Sequence, residues 1–340
     1  MQKKLGLTSQ KNQITTVKIC NPFIPTGPYR DELLKEINRI GLHLNKRQWN
    51  DLLKKKLMLE NKDANESTYI QSAVELTVCA WFSRAGHKSF LYEEKINPPK
   101  DVDCAFRIGK MQFNIEVKCP NYEKQHSIQS SSDFVMYGQG RLGNYREVYS
   151  QLASIFNSGS DPKILGESHH MDLKLKQYLL DANSKFSPSP NADHLNVLVV
   201  CVDDQMDMSQ WYGYLNGPCG LFVDNSFSPS DEYENVDLVV LSNLYHRHHQ
   251  VSSKNNIQSH WDFSKAFNIL IKNPKSKKSD FLFYIFDRHC PNENEGLSQY
   301  WDETSSSGGV RASLIIPEYV ARKQFEKGIY SFQGYSTASD

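Results

Sequence analysis

The chain has 340 residues, and its 39 Lys and Arg residues balance 39 Asp and Glu residues, so the formal net charge is zero. Hydrophobic residues make up 39% and aromatic residues 11% of the chain, which is typical of a folded protein and excludes disorder over most of its length. No apolar run approaches the roughly 18 residues that a membrane span requires, and the N-terminus lacks the apolar stretch of a signal peptide.

Cysteine usage indicates a cellular compartment. The seven Cys residues are scattered, and no two of them form a C-x-x-C pair. This pattern argues against a disulfide framework and against a zinc site with Cys ligands. We therefore expect reduced thiols and a cytoplasmic protein.

The balanced total hides an uneven distribution of charge. Residues 1–62 contain 13 Lys and Arg against five acidic residues, a formal charge of +8, and the rest of the chain compensates with −8. Two helices are predicted in this basic N-terminal segment, over residues 31–41 and 46–58, because their apolar residues repeat on one face. Two interpretations stay open: a solvated helical surface, or a basic arm that contacts phosphates.

Residues 63–245 are predicted to be the core of an α/β protein with a mixed β-sheet flanked by helices. A helix is expected from a cap at Asn65 or Ser67 to about Arg84. The hydrophobic period then changes from 3.6 to 2, which predicts strands. The predicted strands cover residues 87–96, 102–108, 111–119, 195–202 and 236–241, with a loop over 120–143, a second helix over 145–156 and a long polar segment before residue 195.

Residues 246–340 are predicted to extend the core with α+β structure that completes the sheet, forms a dimer surface or contacts substrate. The pattern favours a helix over 261–271 and strands over 281–286 and 312–316. Residues 245–249, Tyr-His-Arg-His-His, contain no acid or Cys at metal-ligand spacing. We therefore expect a solvated polar segment there and no transition-metal site.

The most informative segment is a predicted hairpin over residues 101–119, in which apolar and charged residues alternate. Gly109-Lys110 is a favoured two-residue turn of type II′, which pairs Ile108 with Met111. This register sets which residues of the two strands face each other along the whole hairpin.

The register places Asp103 directly opposite Glu116 on one face, with Lys118 two residues along the same face. Two opposed carboxylates are destabilising by themselves, and a divalent cation between them removes the conflict. Hard oxygen ligands suit Mg²⁺. The hairpin therefore predicts half of a metal site.

At this point the residues resemble a known family, the PD-(D/E)XK nuclease superfamily. The resemblance rests on Asp103 and on Glu116-Val117-Lys118, and it covers about residues 66–203. It implies a restriction-endonuclease-like core of helix, three strands, helix and strand. Many members carry a Glu on the first core helix that reaches the metal site, and Glu75 matches that position as the only charge between residues 66 and 84.

The sequence departs from the family pattern at one position, because Val102 and not Pro precedes Asp103. Asp101 is the alternative metal-binding acid if the hairpin is bulged or its turn is longer. An alternative interpretation of the whole segment is a partly exposed hairpin with charged residues on its outer face. For Glu75 alone, the alternative is a carboxylate paired with an Arg or Lys elsewhere in the chain.

The resemblance implies a Mg²⁺-dependent endonuclease that acts on DNA, of the restriction or phage-defence kind, with Mn²⁺ as a substitute metal. Asp103 and Glu116, with the carbonyl of Val117, would hold one metal ion, and Glu75 could hold a second. Lys118 would orient the attacking water, act as base or stabilise the transition state. Many such proteins are homodimers, and no membrane is implied.

Three further residues are candidates for substrate binding. Gln151 lies on the polar face of the predicted second helix, where some family members place a Gln, although a solvated Gln is the simpler interpretation. Gln139 and Arg141 lie in a glycine-rich stretch that could bring backbone amides and a guanidinium to a phosphate, or could be a plain connection.

Two other functions remain open from the sequence. One is a ribonuclease or structure-specific nuclease, because the predicted metal site does not read the 2′-hydroxyl. The other is a non-catalytic nucleic-acid-binding or regulatory protein on the same fold. The complete set of Asp103, Glu116 and Lys118 argues against the second.

Overall fold

The computed structural model describes residues 18–139, 144–158, 163–169, 171–186, 193–226, 228, 230–253, 257–305 and 314–327. Within these ranges, no helix is both long enough and apolar enough to cross a membrane. All seven Cys residues fall in these ranges, and all are free thiols, as the sequence predicts.

A mixed sheet of six strands forms the centre of the fold, in the order β1-β2-β3-β6-β7-β8. Its strands are β1 (Leu91–Asn97), β2 (Lys100–Ile108), β3 (Met111–Lys118), β6 (His194–Cys201), β7 (Leu238–Ser242) and β8 (Asn268–Lys272). Strands β3, β6 and β7 are parallel, whereas β1, β2 and β8 pair antiparallel with their neighbours. A separate two-stranded parallel sheet contains β4 (Phe134–Gln139) and β5 (Leu165–His169).

Helices cover both faces of the large sheet. They are α1 (Pro28–Gly41), α2 (Lys46–Asp51), α3 (Glu66–Ala85), α4 (Tyr122–Ser130), α5 (Tyr145–Asn157), α6 (Met171–Lys185), α7 (Gln205–Asn216), α8 (Leu244–His248), α9 (Asp280–His289), α10 (Asn294–Ser305) and α11 (Ile315–Lys327). A five-residue π-helix, Leu52–Lys56, continues α2. The predicted α/β class and the mixed sheet flanked by helices are confirmed.

Strand periodicity separates the interior into two cores, because alternate side chains of a strand point to opposite faces. In β6, Val197 and Val199 belong to the core under α1, α3 and α9, whereas Leu198 and Val200 belong to the core under α6, α7 and α11. We call these the α3 face and the α6 face. On β3, Ile115 lies on the α3 face, so Glu116 points towards the α6 face.

The N-terminal helices share the core of the sheet. Helix α1 packs against α3 through Leu33, Ile37 and Ile40, which are fully buried. Helix α3 is capped by the Asn65 side chain, which accepts a hydrogen bond from the N–H of Thr68, as the sequence predicts. The described part of the basic segment is therefore a packed layer of the protein, while the three-segment division of the chain stays a prediction.

Two stretches between β3 and β6 differ from the prediction. The expected loop over residues 120–143 contains α4 and β4, and the expected polar segment before residue 195 contains β5 and α6. Helix α6 buries Leu175, Leu179 and Ala182 at a spacing of three and four residues. The sequence analysis missed this helix because its buried residues form a narrow stripe, which the surrounding polar residues obscure in the hydrophobic pattern.

The C-terminal predictions were largely wrong. No α-helix spans residues 261–271, because they contain the short 3-10 helix Phe263–Lys265 and most of the edge strand β8. Residues 281–286 lie in α9 and not in a strand. In α9 the buried pair Leu282 and Phe286 is four residues apart, while Phe281 and Tyr284 are exposed, which is a helical pattern within a short apolar run. The expected strand over 312–316 is partly outside the described residues, and α11 begins at Ile315.

The His-rich segment 245–249 is buried in and after α8, and the prediction of a solvated segment was wrong. Arg247 is 1% exposed, and its guanidinium donates to the carbonyls of Gln258, Ser259 and Lys265. The ring of His248 lies 3.0 Å from the hydroxyl of Tyr29. Most of these buried polar groups have hydrogen-bond partners, whereas the Tyr245 hydroxyl and Arg247 Nε have none among the described residues.

Candidate functional site

The hairpin of β2 and β3 has the predicted register. Paired residues run from Ile108 with Met111 at the turn to Cys104 with Ile115. Gly109 adopts a φ of 62°, the left-handed conformation that the first position of a type II′ turn requires. The turn is neither longer nor bulged, and Asp101 is exposed. The pairing ends before the predicted pair of Asp103 with Glu116, so the choice of Asp103 over Asp101 as the metal-binding acid stays a prediction.

Asp103 lies one residue beyond the last paired position of β2. Its carboxylate oxygen Oδ2 accepts a hydrogen bond of 2.6 Å from the N–H of Val117 on β3. Among the described residues, no side chain forms a hydrogen bond or ion pair with the Asp103 carboxylate. The acid is therefore held against the backbone of β3, beside Glu116, without a cationic partner of its own.

Glu116 is the most buried acid of the hairpin, with 1% of its side chain exposed. Its oxygen Oε1 lies 2.9 Å from Lys118 Nζ and 2.6 Å from Lys185 Nζ. The second oxygen, Oε2, is buried and has no hydrogen-bond partner among the described residues. A buried carboxylate oxygen without a partner is costly, and a bound water molecule or ion at that oxygen would remove the cost. Glu116 is inside the protein and not on an outer face, whereas Asp101, Arg107 and Lys110 of the same hairpin are exposed.

Lys118 is held between two carboxylates. It forms ion pairs with Glu116 and with Asp181 on α6. Burial lowers the pKa of Lys118, but attraction from Glu116 and Asp181 outweighs that effect and raises the pKa above its ordinary value. Lys118 is therefore an ammonium at neutral pH.

Glu116, Lys118, Asp181 and Lys185 form what we call the β3–α6 cluster. Sequence reasoning found the two residues on β3 and missed the two on α6. Asp181 and Lys185 are four residues apart, the spacing of neighbours on one helix surface, and that spacing was the available signal. This spacing could be interpreted only once residues 171–185 were known to be helical.

A second group, which we call the α3 cluster, contains Glu75, Lys56, Tyr92 and Glu93. Lys56 Nζ lies 2.5 Å from Glu75 Oε1 and 2.9 Å from Glu93 Oε1. The hydroxyl of Tyr92 also donates to Glu75 Oε1, at 3.0 Å. Glu75 thus has the paired environment that the alternative interpretation anticipated, and its partner comes from the basic N-terminal segment.

Lys56 ends the π-helix Leu52–Lys56, and it differs from its neighbours in the sequence Lys54-Lys55-Lys56. Lys54 and Lys55 are exposed, whereas Lys56 turns inward, with 26% of its side chain exposed. Burial lowers the pKa of Lys56, but the charges of Glu75 and Glu93 outweigh this and raise it. Sequence reasoning had no signal for this contact, because a π-helical turn alters which lysine faces the core. Such turns are frequent at functional sites.

Asp103 lies within electrostatic reach of both clusters. Burial raises the pKa of Asp103 well above its ordinary value, and the negative charges of Glu75 and Glu116 raise it further. The N–H of Val117 and the charge of Lys56 act in the opposite direction. The carboxylates of this region therefore repel one another, and the three lysines nearby only partly compensate.

The three candidate substrate-binding residues are not brought to this site by any described contact. Gln151 is exposed on α5, which packs against β4 and β5, and its amide lies 3.4 Å from Glu147. The backbone of Gln139 ends β4. Arg141 lies outside the described residues. Their roles stay predictions, as does a metal contact from the carbonyl of Val117.

The donor set can be compared with what a divalent cation requires. In the part of the chain that the structure describes, no three or more His, Cys, Asp or Glu side chains are gathered closely enough to hold a metal ion. Two carboxylates, Asp103 and Glu116, are adjacent, and Glu116 Oε2 is unpartnered. Mg²⁺ fits such a set, because it usually takes one or two protein carboxylates and completes its shell with water and phosphate oxygens.

Comparisons with known protein families, with curated proteins and with solved structures found no match.

Proposed function

We propose that the chain is a Mg²⁺-dependent endonuclease of the PD-(D/E)XK type, with a restriction-endonuclease-like core, that hydrolyses phosphodiester bonds in DNA. One observation carries the proposal: the buried, unpartnered Oε2 of Glu116, next to Asp103 and beside a fixed lysine. Restriction or phage defence is the biological role that we propose with it.

Each side chain of the site has a task in this reaction. Asp103 and Glu116 would hold Mg²⁺, which polarises a phosphoryl oxygen and lowers the pKa of a bound water. Lys118, fixed by Glu116 and Asp181, presents a permanent positive charge where negative charge develops on the phosphate. Its raised pKa favours this point-charge role over that of a general base.

The basic surface of the N-terminal segment supports a polyanionic substrate. Lys46, Arg47, Lys54 and Lys55 are exposed on α2 and the π-helix, the same short stretch that delivers Lys56 to the α3 cluster. Basic residues beside a metal site can neutralise phosphates of a bound strand. Deleting the whole segment would not test this, since α1 contributes Leu33, Ile37 and Ile40 to the core.

Point substitutions test the basic surface without removing α1. The double variant Lys54→Gln/Lys55→Gln should bind DNA more weakly, and its slope of log K against log salt should be shallower by about 0.9 for each phosphate that is no longer neutralised. An unchanged slope would show that Lys54 and Lys55 do not contact phosphates and are solvated surface residues.

Cleavage assays test the proposed activity. Purified protein with Mg²⁺ or Mn²⁺ should nick or cut plasmid DNA, and Lys118→Ala should lose about 10²–10³-fold in rate. Lys110→Ala, an exposed lysine of the same hairpin, is the matched control and should be unaffected. Asp101→Asn should also retain activity. Equal rates for wild type and Lys118→Ala would refute the site assignment.

The same assay separates the alternatives. RNA and branched DNA in parallel reactions distinguish a ribonuclease or a structure-specific nuclease from an enzyme acting on duplex DNA. Binding of DNA without any cleavage, together with no uptake of Mn²⁺, would favour the non-catalytic protein. Sedimentation equilibrium checks the homodimer that the family resemblance leads us to expect.

A further inference from the structure

The α3 cluster contains a lysine where a metal-dependent nuclease with two ions would need an open carboxylate. Glu75 is the residue that could hold a second ion, and its Oε1 already binds the ammonium of Lys56 at 2.5 Å. The same ammonium binds Glu93 at 2.9 Å and the hydroxyl of Tyr92 at 3.0 Å. Lys56 is thus surrounded by three oxygen ligands, two of them carboxylate oxygens.

The two clusters lie on opposite faces of the sheet. Tyr92, which bonds Glu75, belongs to the core of the α3 face, whereas Glu116 points to the α6 face. Asp103 is influenced by a carboxylate of each cluster, Glu75 and Glu116. A cation on Glu116 and the ammonium on Glu75 can therefore be present at once without competing for the same oxygen.

The charge of the region agrees with a single divalent ion. The ion-paired side chains of the two clusters, together with Asp103, are three lysines and five carboxylates. Their formal charge is −2, so one divalent cation balances it. A second divalent cation would leave an excess of positive charge unless Lys56 moved away.

We propose that Lys56 is a tethered cation that takes the place of a second metal ion, so that the site binds one divalent ion, on Asp103 and Glu116. This inference rests on the proposed function. A lysine on a short π-helical turn supplies one positive charge at Glu75 and Glu93 permanently, whereas a metal ion there would depend on its concentration. Glu75 is then a positioning residue for Lys56 and not a metal ligand.

Calorimetric titration with Mn²⁺, without substrate, tests the inference. We expect one bound ion per chain for wild type, two for Lys56→Met, and one for Lys56→Arg, which keeps the charge. Lys55→Met is the matched control: its side chain is 75% exposed and pairs with Asp51 outside the clusters. In Lys56→Met/Glu75→Gln, the second ion should be lost again.

The outcomes separate the inference from the proposed function. Two ions on wild type, or one ion with unchanged affinity on folded Lys56→Met, would overturn the role of Lys56 and leave the metal site standing. No ion on any variant would overturn the proposed function and the inference with it. If Lys56→Met does not fold, Glu75→Gln decides: it should still bind one ion, and a loss of binding would show that Glu75 is a ligand.

Discussion

The two charge clusters on either face of the sheet contain similar side chains, but the carboxylates in them have different partners. In the β3–α6 cluster, two lysines share one oxygen of Glu116 and leave the other oxygen buried and unpartnered. In the α3 cluster, one lysine sits between two carboxylates and a tyrosine hydroxyl. The first arrangement leaves one carboxylate oxygen without a partner, and the second supplies its own cation. Under the proposed function, Glu116 would hold the metal ion and Glu75 would position Lys56.

Neutralising the two glutamates should produce the largest contrast. Glu116→Gln removes a proposed metal ligand and one anchor of Lys118, so DNA cleavage should fall about 10²–10³-fold. Glu75→Gln should lower the rate of DNA cleavage by less than about tenfold, because Lys56 keeps its contact with Glu93. Initial rates of plasmid nicking at saturating Mg²⁺ measure both. Equal losses in the two variants would break the comparison.

Removing Lys56 should lower stability more than removing its exposed neighbour. Lys56→Met leaves Glu75 and Glu93 without their shared cation, and we expect a loss of about 2 kcal/mol in the free energy of unfolding, since breaking a largely buried ion pair strands the remaining charge. Lys55→Met should be close to neutral, because its pair is at the surface. Urea denaturation of both variants without metal gives the values, and a neutral Lys56→Met would show that the pair contributes nothing.

Asp103→Asn should stabilise the metal-free protein while abolishing cleavage. The raised pKa of Asp103 means that the folded chain binds its proton more tightly than the unfolded chain, so stability is lost as the pH rises from the ordinary Asp value through the raised one. At neutral pH, asparagine should therefore raise both the free energy of unfolding and Tm. Thermal denaturation at pH 4 and pH 7 checks the sign, since the gain should shrink at pH 4. If Asp103→Asn were less stable than wild type at pH 7, the repulsion of Asp103 by Glu75 and Glu116 would be contradicted.

The smallest effect is expected at Asp181, which contacts Lys118 from α6. Asp181→Asn removes one of the two charges that raise the pKa of Lys118, so the basic limb of the pH–rate profile should move to lower pH. The rate at pH 7 should fall only a few-fold, because Glu116 still holds the lysine. Glu232→Gln, which removes an acid that pairs with Lys176 on the same helix, is the control. An unshifted profile would show that Asp181 does not tune Lys118.

How far the sequence predicts this structure depends on whether a feature is local. The turn at Gly109, the register of the hairpin and the helix cap at Asn65 follow from short-range chemistry, and all three were predicted. Helix α6 and strand β8 were missed, because their apolar patterns are short and tertiary packing selects their conformation. Asp181 and Lys185 lie on α6, which was missed. Lys56 lies at the end of the predicted helix 46–58, where a π-helical turn determines which lysine faces inward. All three come from parts of the chain distant from the hairpin.

A crystal structure with Mn²⁺, located by its anomalous scattering, tests the central claim most directly. We predict one manganese ion per chain, bound by Asp103 and by Oε2 of Glu116, with Lys56 still in contact with Glu75. Manganese absent from that position, or bound to Glu75 with Lys56 displaced, would contradict the account.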